Sequence, residues 1–119
     1  MTPDILVFGE ALVDFVPTRR GRLRNVSGFE LHSGGAPGNV AIGCARLGAR
    51  AGLVSVVGDD EFGHFLRHAF QTEGVDVQQL RHAAGQRTGL CFITLDADGE
   101  RRFTHRGGAP ETLLNVGDV

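Results

Sequence analysis

Two continuous apolar runs, Ile5-Leu6-Val7-Phe8 and Ala51-Gly52-Leu53-Val54-Ser55-Val56-Val57, are separated by a glycine-rich turn and an apolar segment that ends at Gly48. Runs without polar alternation suit strands covered on both faces. One helical segment precedes the second run and another follows it, so the order predicts an α/β fold with parallel strands at its core. The later helix has the clearest pattern: Phe62, Phe65, Leu66, Ala69 and Phe70 fall at i, i+3, i+4, i+7 and i+8, which puts them on one face. Asp59 or Asp60 can cap its start, and Gly74 ends it. Each fully buried phenylalanine is worth ~2–3 kcal/mol of transfer free energy, so this face reads as packing against the sheet.

Elsewhere the pattern changes to alternation. It appears around Arg22 to Leu31, and again in Leu90 to Leu95 and Glu100 to His105, with Asp96-Ala97-Asp98-Gly99 between the latter two. The second stretch reads as a β-hairpin with a polar turn. Strands of period two keep one face in water and do not belong inside a doubly covered parallel sheet. They are expected to form a small separate sheet beside the core, in the position of a lid.

The chain has 119 residues, 41% hydrophobic and 22% charged, enough for one modest core and therefore for one domain or part of one. A net charge of −2 and a pI near 6.2 provide no basic field, which argues against nucleic acid and against an anionic membrane as partners. A small neutral or weakly anionic ligand fits better. The N-terminal Met1-Thr2-Pro3-Asp4 lacks the basic flank of a signal peptide, and the apolar runs are too short to span a bilayer. A cytoplasmic location is expected. Cys44, in the first helix, and Cys91, in a strand, are read as buried reduced thiols, with a disulfide between them as the alternative. Neither is near an obvious activating base in the sequence, which argues against a nucleophile.

Candidate chemistry starts at Ser33-Gly34-Gly35-Ala36-Pro37-Gly38-Asn39, where two glycines run into a proline-started helix. The first N–H groups of a helix have no intrahelical partner, and the helix dipole adds positive potential there, so the junction suits an oxygen-rich or anionic ligand. Gly43 to Gly48 has the glycine spacing of a phosphate-binding loop, but Ala49-Arg50 replace the required Lys and Ser/Thr. No G-x-G-x-x-G follows either apolar strand, so a dinucleotide fold lacks its marker. The second Gly-Gly-Ala-Pro, at Gly107 to Pro110, has different flanks and is read as coincidence. His64 and His68 have metal-pair spacing but lie opposite the phenylalanine stripe, so they are read as a solvated face. His32, His82 and His105 form no recognisable ligand set. Asp14 sits among Leu12, Val13, Phe15 and Val16; such a carboxylate needs donors, either sugar hydroxyls or nearby backbone N–H groups.

Gly9-Glu10-Ala11-Leu12-Val13-Asp14-Phe15, Gly34-Gly35-Ala36-Pro37-Gly38-Asn39, Gly58-Asp59-Asp60-Glu61-Phe62-Gly63 and Glu73-Gly74-Val75 resemble, in order, the N-terminal part of the ribokinase-like carbohydrate kinases of the PfkB type, fructokinases most of all. The resemblance implies a Rossmann-like α/β ribokinase fold, the N-terminal part of a parallel central sheet flanked by helices, with a small β-sheet lid from strands at about 15–32 and 89–106. It also implies ATP-dependent phosphorylation of a sugar hydroxyl, with ATP and Mg²⁺ required. By the same resemblance Asp14, Gly34, Gly35 and Asn39 hold the sugar, and Arg106 stands where related members read acidic or keto sugars, although Phe103-Thr104-His105-Arg106 departs from the family's aromatic-rich version. The family's Gly-Ala-Gly-Asp motif, which supplies the catalytic base and anion hole, has no match here. Residues 1–119 are therefore expected to be the N-terminal portion of one kinase domain, without the nucleotide-binding half. The rival expectations are a non-catalytic sugar-binding remnant, a homodimer paired through the lid, and a poorly folded fragment.

Overall fold

The computed structural model describes residues 2–119. In chain order the elements are β1 (Ile5–Phe8), β2 (Leu12–Pro17), β3 (Phe29–Gly34), α1 (Ala36–Arg46), β4 (Ala51–Gly58), α2 (Glu61–Thr72), β5 (Leu80–Ala83), β6 (Gly89–Leu95) and β7 (Arg101–Arg106). Short 3₁₀ turns occupy Leu23–Asn25, Pro110–Leu113 and Val116–Asp118. β4 is central to a parallel three-stranded sheet ordered β1-β4-β5. All eight of its residues are buried, which is why its sequence carries no polar alternation. Its one polar side chain, Ser55, donates to the carbonyl of Gly9 at 2.6 Å, so no donor is stranded in the core.

The first apolar run behaves differently from the expectation of cover on both faces. Ile5, Leu6 and Phe8 are 38%, 41% and 67% exposed. The reason is topological: β1 lies at the edge of its sheet and pairs with β4 alone. The alternation around Arg22 to Leu31 is likewise not one strand. A 3₁₀ turn at Leu23–Asn25 precedes β3, which begins only at Phe29. β5 carries no clear strand pattern in the sequence and takes its form from pairing with β4, Ser55 opposite Leu80 through Gly58 opposite Ala83.

The second sheet has the order β3-β2-β6-β7. β2 pairs antiparallel with β3 and parallel with β6, and β6 pairs antiparallel with β7. One face of this sheet is held by aromatic packing. Phe15 of β2 stacks on Phe92 of β6 at 4.4 Å between centroids, and Phe29 and Phe62 meet Phe15 edge-on at 6.2 and 5.9 Å. Phe62 belongs to the first turn of α2, so the same contacts that close the small sheet also dock it on the core. On α2 the apolar stripe is oriented as expected, with Leu66 and Phe70 fully buried and Phe62 and Phe65 partly buried against the core cluster.

Asp60 caps α2, and it does more than cap. Its Oδ1 accepts from the Gly63 N–H at 2.8 Å and from the Thr88 hydroxyl at 2.7 Å, while Oδ2 accepts from the Thr88 N–H at 3.0 Å. Thr88 Oγ1 in turn accepts from the Gly58 N–H at 2.9 Å. The end of β4, the start of α2 and the entry to β6 therefore share one carboxylate. Burial opposes its ionisation, but the Thr88 and Gly63 hydrogen bonds outweigh that and hold the Asp60 carboxyl below its usual range. Asp60→Ala removes the cap and leaves Thr88 short of its partner. It is expected to cost about 2–3 kcal/mol, read as a lower urea midpoint, whereas Glu61→Ala on the same exposed turn changes the midpoint little.

Candidate functional site

The site is organised by the alternation of β2. Val13 is fully buried and Phe15 joins the aromatic cluster, so Asp14 between them must face the other way. Register then decides its neighbours: Asp14 lies opposite His32 of β3 on one side and Cys91 of β6 on the other, and Cys91 lies opposite His105 of β7. His32, Asp14, Cys91 and His105 thus form a row across four strands on one face.

Gly34 closes one side of Asp14. A Cβ at Gly34 would overlap the Asp14 carboxylate, so only glycine lets the carboxylate occupy this place. Gly35 follows with φ +96° as the N-cap of α1, and no side chain caps the helix there. A Cβ at Gly35 would stand 2.9 Å from the Glu10 carbonyl oxygen. The chain can therefore turn into the helix only by bringing bare backbone against the segment leading into β2.

Among the described residues no protein group donates a hydrogen bond to the Asp14 carboxylate. Burial raises its pKa, His32 and His105 oppose that rise, and Glu10 adds to it, with the net result above the usual aspartate value. A half-buried, donor-poor carboxylate of this kind is suited to accept hydrogen bonds from a ligand's hydroxyls. Cys91 is 3% exposed, and its Sγ lies 4.0 Å from His105 Nε2. Contrary to the reading of its sequence surroundings, a base does stand beside it. Burial, then the charges of Asp14 and Glu10, push the thiol up, so it remains protonated and is a poor nucleophile. Both cysteines are free thiols, and Cys44 is only partly buried.

Two cavities adjoin the row. One, of about 390 Å³, is walled by Glu10, Leu12, Gly89, His105, Arg106 and Gly107. The other, of about 330 Å³, is walled by His32, Asn39, Arg46 and Glu73 among others. β2, β3 and the start of α1 bring Asp14, Gly34 and Gly35 together, whereas Asn39 lines the smaller cavity with His32, and Asp14 lines neither cavity. Arg106 is placed differently. Its register partner is Leu90, one step out of phase with the Asp14 row, and its Nη1 donates to the carbonyl of its own neighbour His105 at 2.8 Å. It reaches the wall of the larger cavity, not the row itself. His32 and His105 carry no signal of their own in the sequence; only strand register puts them around Asp14, while Glu10 precedes β2.

Similarity to known proteins follows the same elements. The sequence profile of the pfkB family of carbohydrate kinases matches residues 2–115. Fructokinase-2 of Solanum habrochaites is 46% identical over 117 residues, which is 97% of this chain and 36% of that protein. This chain thus spans about a third of the length of the curated relatives it matches. Among solved structures, a PfkB protein from Polaromonas superposes with a TM-score of 0.90 at 34% identity, covering 99% of this chain and 40% of that one. A fructokinase from Vibrio cholerae, solved with fructose, ADP and calcium ion bound, superposes with a TM-score of 0.82 at 33% identity, covering 97% of this chain and 36% of that one. The parallel sheet with its two helices and the separate mixed sheet are those of ribokinase-fold sugar kinases. On its matched sequence and its fold, the chain belongs to the pfkB family of carbohydrate kinases.

Proposed function

We propose that this chain supplies the sugar-acceptor site and the β lid of a fructokinase-like kinase, which transfers the γ-phosphoryl group of ATP to a sugar hydroxyl. The observation that carries the reading is the Asp14 carboxylate, half-buried, without a donor among the described residues, and fitted against a glycine that has no side chain to block it. A carboxylate accepts hydrogen bonds from two neighbouring hydroxyls at once, and His32 and His105 flank it with groups that both donate and accept. Bare N–H groups at the start of α1 and the Asn39 side chain supply further polar contacts, and Arg106 at the cavity wall is assigned to the far end of the sugar. Fructose is the favoured acceptor because fructokinases recur among the relatives and the Vibrio cholerae enzyme holds it. The β6–β7 hairpin closes over the acceptor and excludes water, which limits hydrolysis of ATP.

Among the described residues, no group of three or more oxygen-donor side chains converges to hold Mg²⁺. Among the described residues the group of ligand-type side chains that converges is Asp59, His64 and His82, whereas Mg²⁺ demands oxygen ligands in near-octahedral geometry. Mg²⁺ and the nucleotide phosphates are assigned to residues outside this chain, and binding and orienting the sugar to residues within it. Two free thiols fit a reducing cytoplasm, and no helix among the described residues is long and apolar enough to cross a membrane. A second reading, pairing of two chains through the lid, draws on β7, an edge strand on which Phe103 is 55% exposed. Phe103→Asp is expected to abolish any dimer seen by light scattering; a dimer that persists in the variant does not use this edge.

Asp14→Asn is expected to weaken fructose binding roughly 10–100-fold, the loss of about 1.4–3 kcal/mol of charge-assisted hydrogen bonding, in calorimetric titration of the protein. Its effect on stability runs the opposite way. The raised pKa means that ionising Asp14 costs folding free energy, a cost present above the unfolded-state pKa and relieved as pH falls. The variant should therefore melt above wild type at pH 7, with the difference closing below about pH 4. Fructose affinity in wild type should rise with pH through the raised Asp14 pKa and then level off, a slope absent from Asp14→Asn. A variant that loses stability while keeping sugar affinity would mark Asp14 as a structural residue only.

A further inference from the structure

A cluster outside the sugar row joins three elements at the carboxyl ends of the parallel strands, where α/β sheets carry their sites. Asp59 immediately follows β4, His64 lies in the first turn of α2, and His82 lies in β5. Their ligand-type atoms fall within 4.8 Å of one another. His82 Nδ1 lies 3.3 Å from the Gly58 carbonyl oxygen. A carbonyl can only accept, so this contact assigns the ring proton to Nδ1 and leaves Nε2 with a bare lone pair. That Nε2 is shut off from solvent and, among the described residues, is the buried side-chain nitrogen or oxygen that lacks a hydrogen-bond partner. An unpartnered buried acceptor is expensive to maintain, and a ligand that takes the lone pair removes the expense.

His64 completes the arrangement. Its ring stacks on that of His82 at 4.6 Å between centroids with 25° between planes, and its Nε2 stands 3.2 Å from Asp59 Oδ1. We propose that Asp59, His64 and His82 bind a transition-metal ion of the Zn²⁺ class. Two imidazole nitrogens and one carboxylate oxygen are the donors such ions take, and Mg²⁺ and Ca²⁺ prefer oxygen alone. His82, oriented through its Nδ1–H by a backbone carbonyl, has the outer support typical of a ligating imidazole. Tetrahedral zinc holds ligand atoms about 3.3 Å apart. His64 and Asp59 have side chains 53% and 55% exposed, so they are free to turn out of the stack and converge on the ion while His82 stays fixed. Three protein ligands leave a fourth position for water. The bound ion would fasten the first turn of α2 to the edge strand β5, alongside the Asp60–Thr88 contacts that fasten it to β6.

Equilibrium dialysis of the protein against Zn²⁺ alone, with metal counted by mass spectrometry, tests this site independently of sugar or nucleotide. Wild type should retain one ion per chain and melt at a higher temperature with Zn²⁺ than without. His64→Ala and Asp59→Asn, both at exposed positions, should each lower affinity at least about tenfold without changing the metal-free Tm. His82→Gln should abolish binding, and His68→Ala, one turn along the same helix, should leave it unchanged. Retention of the ion by His64→Ala, equal loss in His68→Ala, or displacement of Zn²⁺ by equimolar Mg²⁺ would each overturn the assignment.

Discussion

A strand cannot bury two successive side chains on the same face, and the candidate site depends on that constraint at β2. Val13 and Phe15 are drawn into the core and the aromatic cluster, so Asp14 is turned to the opposite face of the sheet, where it stays half-buried. The apolar contacts on one face thus hold the charged group on the other. Because Phe15 also meets Phe62 of α2, the direction of the carboxylate is tied to the docking of the small sheet on the large one. A one-residue slip of β2 would bury the charge and expose both apolar neighbours, and the aromatic packing excludes it.

The two sheets are coupled a second time by Asp60. Its carboxylate serves the helix N-terminus and the entry to β6 together, so the β6–β7 hairpin begins at a point fixed relative to α2. One consequence is division of labour between neighbouring aspartates. Asp60 faces inward and is fully engaged in structure, whereas Asp59 faces solvent at the mouth of the His64–His82 pair. Asp14 contrasts with Asp60: hydrogen bonds from the protein lower the pKa of Asp60, while Asp14 receives none from the described residues and is raised by burial. A carboxylate that the protein supplies with donors is structural; one left without them costs stability that a ligand can return.

Much of this was legible along the chain. The unbroken apolar run at Ala51–Val57 announced the central strand, and the phenylalanine spacing in α2 announced its buried face, because both patterns reflect local periodicity. The glycine pair at Gly34-Gly35 was also legible as a place where backbone approaches something closely. Three features were not. Ile5–Phe8 reads as doubly covered and is not, since an edge position is a property of sheet order. Arg22–Leu31 reads as a strand and is broken by a 3₁₀ turn. His32, His105 and Cys91 lie 18, 91 and 77 positions from Asp14 by subtraction of their residue numbers, and only pairing places them in one row.

What the sequence determined by itself was the central strand β4, the two helices, the β6–β7 hairpin, the family, and the presence of a carboxylate and a glycine turn, because these rest on short-range patterns and ordered motifs. What the tertiary structure decided was which distant side chains share a face. His64 was paired with Asp59 and His82 in place of His68, and Arg106 was set out of phase with the Asp14 row. The physical reason is the same in each case: helix and strand periods fix where a side chain points within its own element, while strand register and sheet order, set by burial over the whole chain, fix what it meets.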